Sequence, residues 1–387
     1  MKRLVKIPFW DIGIFIIAYT VWQGEALAFD MDFSGRLSGW TTESRISGTW
    51  DTVSGLRYIP RLILRYPFGS DTFLDAEFSL NSFWVCDSSD RGDDYDIKRY
   101  RGNIRFATSQ TETRIGLQKI NFGPARLLRP LRWFDRVDPT DPQQLTDGVY
   151  ALRFKYNTLE NAGLWTWIIY GNENPKGYET LPTTTNSPEF GGRLEYPVLG
   201  GELAATVHSR RVDVSKINIP DFAENRFALD GHWDIGIGLS FESVFQQQKI
   251  ESILPQSGAT AFPYDWTKMT VIGTDYTFAW GNGLYALFEN MAIVFSNHPF
   301  EWGEDILSSA YSLNYPIGIM DSLTAIGYYL WEEKTYYQHL SWQRTYDTLS
   351  LTISLFYYPD AMDVNRAFNQ GMGGGGFGGQ LFIIFNH

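Results

Sequence analysis

Apolar or aromatic residues alternate with polar ones along most of this chain, in about eighteen short segments. Thr348 to Phe356 is the clearest: Leu349, Leu351, Ile353 and Leu355 fall on one side, Thr348, Ser350, Thr352 and Ser354 on the other. Successive side chains of a strand point to opposite faces, so a period of two predicts strands with one apolar face. A soluble sandwich and a transmembrane β-barrel both read this way. The order of the connections separates them.

With both ends on the periplasmic side of an outer membrane, the connections of a barrel alternate between long outer loops and short inner turns. The expected inner turns are Pro67 to Asp71, Thr108 to Thr111, Thr158 to Gly163, Pro197 to Gly201, Gly231 to Asp234, Ala279 to Gly283, Pro316 to Asp321 and Asp347. The expected outer connections are Ser44 to Gly55, Cys86 to Tyr95, Asn121 to Asp147, Gly171 to Pro188, Arg211 to Asn225, Gln248 to Tyr264, Asn297 to Asp305, the short Glu332 to Tyr336, and Asp360 to Gly376. Long loops at every second connection are foreign to a soluble sandwich.

Aromatic residues recur where the returning strands end: Tyr66, Phe106, Tyr156, Tyr196, Trp233, Tyr276, Tyr315, Tyr346 and Phe385. That spacing predicts an inner aromatic girdle. The ending Asn386-His387 departs from the aromatic terminus common in such barrels, and the glycines from Gly371 to Gly379 suit an outer loop. The prediction is one all-β domain over 29–387, a transmembrane antiparallel barrel of about eighteen strands. Sixteen is the alternative, because Ile306 to Tyr315 is a weak segment.

Lys2, Arg3 and Lys6, the apolar run Ile12 to Trp22, and Ala26-Leu27-Ala28 have the form of a signal peptide over 1–28. That apolar run is too short for a membrane helix. Removing 1–28 takes away three basic and two acidic residues, so the formal charge moves from −12 to −13. Such a balance argues against nucleic acid as a partner. Cys86 has no second cysteine to pair with, so no disulfide, zinc or haem motif is implied, and no cofactor is expected.

Charge on a lipid face costs about 2 to 4 kcal/mol at mid-bilayer, which places charged strand residues in the lumen. Over the first six segments the inward register collects Arg36, Arg57, Arg61, Arg65, Arg99, Arg101, Arg105, Arg114, Arg153 and Lys155 against Asp32, Asp75 and Glu77. An arginine ladder of this kind favours anions. A basic wall that merely orders water against an acidic one is the competing reading.

Arg114-Ile-Gly-Leu-Gln118 runs through Gly123 into a segment bearing Arg126, Arg129, Arg132, Asp135 and Arg136, with Pro124, Pro130, Pro139 and Pro142 to stiffen it. This R-x-G-x-Q strand with its Arg/Trp-rich loop resembles the alginate-export family of outer-membrane barrels, though other outer-membrane channels share the pattern. The resemblance covers about thirty residues and implies eighteen strands and an arginine-lined pore. Residues 121–147 are expected to fold into the lumen and set its narrowest point, and a cap on the rim is the alternative.

The function expected is passive diffusion through a Gram-negative outer membrane, favouring small anionic solutes or anionic polysaccharide. The expected surroundings are outer-membrane lipid, lipopolysaccharide and the barrel-assembly machinery. A second reading is a sheath for a protein partner such as a multihaem cytochrome. A third, a hydrolase, rests on His339-Leu-Ser341 alone, which lacks a traceable triad.

Overall fold

The computed structural model describes residues 29–387 apart from 47, 89–92, 173, 216–219, 249–263 and 359–375. The expected signal peptide, the loops around 249–263 and 359–375, and the glycines up to 375 lie outside the described residues.

Eighteen strands form one sheet: β1 (Asp30–Ile46), β2 (Thr49–Pro67), β3 (Phe73–Asp87), β4 (Asp94–Ala107), β5 (Thr111–Gln118), β6 (Val149–Asn157), β7 (Gly163–Ile169), β8 (Glu189–Val198), β9 (Gly201–Val212), β10 (Phe222–Asp234), β11 (Gly238–Gln248), β12 (Trp266–Phe278), β13 (Leu284–Ser296), β14 (Glu304–Pro316), β15 (Asp321–Leu330), β16 (Thr335–Thr345), β17 (Leu349–Tyr358) and β18 (Gly376–Asn386). Every neighbour is antiparallel and follows in chain order. Pairing of β1 with β18, from Arg36↔Asn386 to Arg45↔Phe377, closes the ring. Closure leaves the sheet as a whole without an edge. The weak segment is a full strand, β14.

The alternation sets the inside and outside of the barrel. In β17, Leu349, Ile353, Leu355 and Tyr357 are exposed outward, while Ser350, Thr352 and Ser354 are buried inward. Phe227 and Leu229 of β10 likewise point out, and Glu224, Arg226 and Asp230 point in. An apolar outer band over a polar interior is what a lipid-facing barrel requires. At the inner ends, Phe106, Tyr156, Tyr196, Tyr276, Tyr346 and Phe385 are exposed in a ring. The His387 imidazole joins it, stacked on Tyr58 and Phe385, with backbone bonds in both directions to Gly35.

Two connections differ from expectation. Ser44 to Gly55 is strand rather than loop, because polar residues above the apolar band still pair, from Ser44↔Asp51 to Ile46↔Thr49. The turn between β10 and β11 lies at 235–237, after Gly231 to Asp234, which belong to β10. The wall is also uneven: β5, β6 and β7 are the lowest strands and stand next to the tall β1–β4.

Candidate functional site

Two segments turn into the barrel above these low strands. The first, 119–148, connects β5 to β6, and the second, 170–188, connects β7 to β8. Residues 121–147, expected to fold into the lumen, belong to the first segment, and Gly171 to Pro188, expected as an outer loop, belong to the second.

The R-x-G-x-Q strand has a local reason for its pattern. Gly116 lies at φ +114, where an added Cβ would strike the Gly102 carbonyl, so this close approach of β5 to β4 needs glycine. Gln118, fully buried, donates from its amide to the Ala151 carbonyl at 2.9 Å and stitches β5 to β6.

Gly123, at φ +93, then lets the backbone pass against Glu242 of β11, where a side chain would collide with the carboxylate. Glu242 accepts the N–H groups of Ala125 at 2.8 Å and Leu131 at 3.0 Å. Glu289 of β13 accepts three: Arg126 at 2.7 Å, Leu127 at 3.0 Å and Leu128 at 2.7 Å. Both carboxylates are fully buried. Backbone donors that would be orphaned in a buried turn thus find wall acceptors. Apolar packing completes the anchor: Ala125, Leu127 and Leu128 pack on Val271, Leu287, Ala310 and Ile326. Ile120, Phe122, Leu131, Trp133 and Phe134 pack on Val149, Trp167, Ile169 and Val244.

The return limb is built from Asx turns. Asp138 accepts from the Thr140 N–H at 2.8 Å, and Asp141 from the Gln143 N–H at 2.9 Å. Burial pushes both carboxyls above the ordinary range, opposed by these hydrogen bonds. Arg57 of β2 donates to the Gln143 side chain at 3.2 Å, so the segment crosses the lumen from β11–β15 to β2.

The predicted arginines of 119–148 divide by role. Arg126 is partly exposed and donates to the Tyr285 hydroxyl at 2.8 Å. Arg129 pairs with Asp135 at 2.7 Å inside the segment. Arg132 is mostly buried, and desolvation holds its guanidinium below its usual value. Arg136 donates to the carbonyls of Gly177 and Pro175, each at 2.8 Å, and ties the two inward segments together. Two of the Arg136 donors are thus taken up within the fold.

Beneath the second segment lies a buried ionic cluster that sequence reasoning missed. Lys176 bonds Glu189 at 2.7 Å and Glu179 at 3.2 Å. Arg210 bonds Glu224 at 2.7 Å, and Arg226 bonds Glu179 at 2.8 Å and Glu224 at 2.6 Å. Three cations and three carboxylates balance there. The Trp167 indole N–H donates to Nδ1 of His208, which assigns the proton of a neutral ring to Nε2, facing Glu189 at 3.1 Å.

On the opposite wall, Arg61 and Arg65 face the lumen about half exposed, at 48% each. Glu77 holds Arg61 at 2.8 Å, Asp75 receives Arg105 through both oxygens, and Glu112, absent from the predicted inward set, sits among Arg105, Arg114 and Arg153. Lys155 lies over the Trp165 ring. Cations still outnumber carboxylates in this group. Arg101 donates to the Tyr100 and Thr146 carbonyls and covers the Tyr100 ring. Arg193, buried, pairs with Glu195 on its own strand and with Asp230 two strands along the same wall, near a cavity of about 360 Å³ lined by Phe122, Arg126, Trp165, Glu202 and His232.

Arg99 is a correction. The β3–β4 register shifts between Ser79 and Leu80, so Arg101 faces inward opposite Ser79 while Arg99 falls opposite the outward Leu80. A bulge inserts one residue and reverses the face of everything beyond it. Arg99 therefore lies on the outer surface, donating to the Tyr150 hydroxyl at 3.4 Å. In β16, Nδ1 of His339 is buried without a hydrogen-bond partner, so no carboxylate orients that ring through it.

No protein-family model matches the chain, and no curated protein matches it in sequence. Solved structures do match in shape. Acinetobacter baumannii OccAB1 superposes with a TM-score of 0.57 at 10% identity, over 94% of this chain and 98% of that one. Pseudomonas aeruginosa OccK5 (OpdH) gives 0.52 at 12% identity, over 92% and 98%. The anion-selective porin from Comamonas acidovorans gives 0.51 at 11% identity, over 93% and 100%. A closed eighteen-strand antiparallel barrel with its apolar band outward thus shares the fold of the outer-membrane porins.

Proposed function

We propose that this barrel is a passive channel of a Gram-negative outer membrane that favours small anionic solutes. The supporting observation is the lumen-facing basic wall, where Arg61 and Arg65 remain half exposed while Asp75, Glu77 and Glu112 leave the surrounding cations in excess. Guanidinium groups stay charged at any relevant pH and grip carboxylates or phosphates through two N–H groups. Anchored on Glu242 and Glu289, residues 119–148 form the constriction, with Arg126 on its lumen side. Glu202, beside Glu195 and Asp230 that share Arg193, leaves acidic charge in excess there against the basic wall. In this reading both termini are periplasmic, residues 1–28 are removed, and the assembly machinery inserts the chain among lipid and lipopolysaccharide.

Anionic polysaccharide is the longer version of the same substrate class, threading as an extended polymer. The sheath reading loses ground because the two inward segments fill space a protein partner would need. Purified protein in a planar bilayer under a potassium chloride gradient tests the proposal. A chloride-directed reversal potential that moves toward zero in R61Q/R65Q is expected. A cation-selective pore, or a double variant with unchanged selectivity, overturns anion preference. A folded but non-conducting barrel that co-purifies with a stoichiometric partner would favour the sheath.

A further inference from the structure

The outer wall carries a dent that the channel reading does not use. Three neighbouring strands break their ladder at one level. The β2–β3 register passes from Tyr58↔Ser82 to Arg61↔Ser79, with Pro60, which has no N–H, between them. The β3–β4 register shifts at Ser79/Leu80. Gly102 beside it has no side chain, and an added Cβ there would meet nothing within 4 Å. The result is a notch of about 390 Å³ lined by the outward Phe33, Leu62, Phe78, Leu80 and Leu117, with Arg99 and Tyr150 beside them, and bounded also by Arg61, Ser79 and Arg101, whose side chains belong to the lumen face.

The notch lies where the wall is low. β6 spans nine residues, which at ~3.3 Å each and a tilt of ~40° rise roughly 20 to 23 Å, and β7 is shorter still. Both fall short of the ~25 Å apolar band usual for such barrels. A bilayer meeting this side must thin, which draws headgroups down to the outer ends of β5 and β6. Arg99 and Tyr150 stand at that level. An arginine facing lipid is costly at mid-bilayer and is at home beside a phosphate at the interface.

We infer that this notch binds one phosphate-bearing lipid of the outer leaflet, with its phosphate on the Arg99 guanidinium and the Tyr150 hydroxyl and one acyl chain in the Phe33–Leu62–Phe78–Leu80 groove. Charge complementarity at the rim and the apolar groove below it select a lipid over a soluble phosphate, which would leave the groove empty. The inference rests on the membrane reading above but not on conduction or its selectivity. A barrel that conducts anions yet ignores the lipid sinks this inference alone.

The test is native mass spectrometry of the full folded chain in detergent, titrated with bis-phosphorylated lipid A, its dephosphorylated form and inorganic phosphate. Wild type is expected to retain the phosphorylated lipid about tenfold more tightly than the dephosphorylated one. R99Q should erase that preference. G102L, which fills the groove, should weaken both lipids, and the lumenal R114Q should change neither. Equal retention of the two lipids by wild type overturns the inference whether or not the variants fold. So does an unchanged preference in R99Q, or displacement of the lipid by inorganic phosphate alone.

Discussion

Replacing both wall carboxylates, E242A/E289A, should loosen residues 119–148 on the wall without unfolding the barrel. Glu289 satisfies three backbone N–H groups and Glu242 two. A buried donor left unsatisfied costs about 1 to 3 kcal/mol, and lumen water argues for the low end. E289A alone then shifts the docked segment by about 3 kcal/mol, roughly 150-fold in its equilibrium, and the pair by about 5 kcal/mol. Opposing this, Leu127 and Leu128 stay buried against β12–β15, at about 1.5 to 3 kcal/mol each. With Ile120, Phe122, Leu131, Trp133 and Phe134 also packed, both variants should loosen the segment, the double variant further, rather than expel it. Trypsin reads the difference on unboiled, folded protein, because Arg126 and Arg132 precede Leu127 and Trp133, whereas Arg129 is shielded by Pro130. Cleavage that follows the open population should be at least about a hundredfold faster in the double variant. A folded double variant as resistant as wild type would refute the idea that the carboxylates hold the constriction.

Removing one member of the buried ionic cluster should be expensive. E224A leaves Arg210 and Arg226 to share Glu179, with one buried cation in excess, and should cost about 3 to 5 kcal/mol, seen as a lower thermal unfolding midpoint, and an unchanged midpoint would sink the argument. The proposed constriction should also respond to pH. Burial raises the Asp138 and Asp141 carboxyls in the docked segment, so it binds protons more tightly than the released one. Its docking is firmest below the ordinary carboxylate value and weakens as pH rises through the raised values. Open-channel noise should accordingly fall from pH 7 to about pH 4. A quieter channel at pH 7 would contradict the assignment.

Strand positions were legible because burying one face of a thin wall forces a period of two on the sequence. The first hairpin was misread because that rule stops at the membrane surface, above which Thr, Ser and Glu occupy both faces of β1 and β2. Arg99 was misplaced because a bulge depends on how two strands meet, and neither strand alone carries its signature. The anchors Glu242 and Glu289 had no signal of their own. Each looks like any glutamate on a lumen face, and its partners are backbone groups more than a hundred residues away. Gly123 offered the nearest clue, a glycine at the mouth of a proline-stiffened segment, but nothing in the local sequence says what it must pass. The second inward segment was hidden for the same reason, since Lys176 and Glu179 find their partners on β8–β10.

Those remote anchors also set an order of events. Until β5, β6 and β11–β15 stand in one sheet, residues 119–148 have neither the two carboxylates that accept their five N–H groups nor the β12–β15 surface to dock on. A growing sheet of this topology is therefore a wide, empty trough, and it becomes narrow only after most of the wall stands. Contacts of such long sequence separation form late and slowly. On the proposed channel reading, the finished barrel is thus preceded by a wider one, and docking of a single segment is what would turn an indiscriminate hole into a filter.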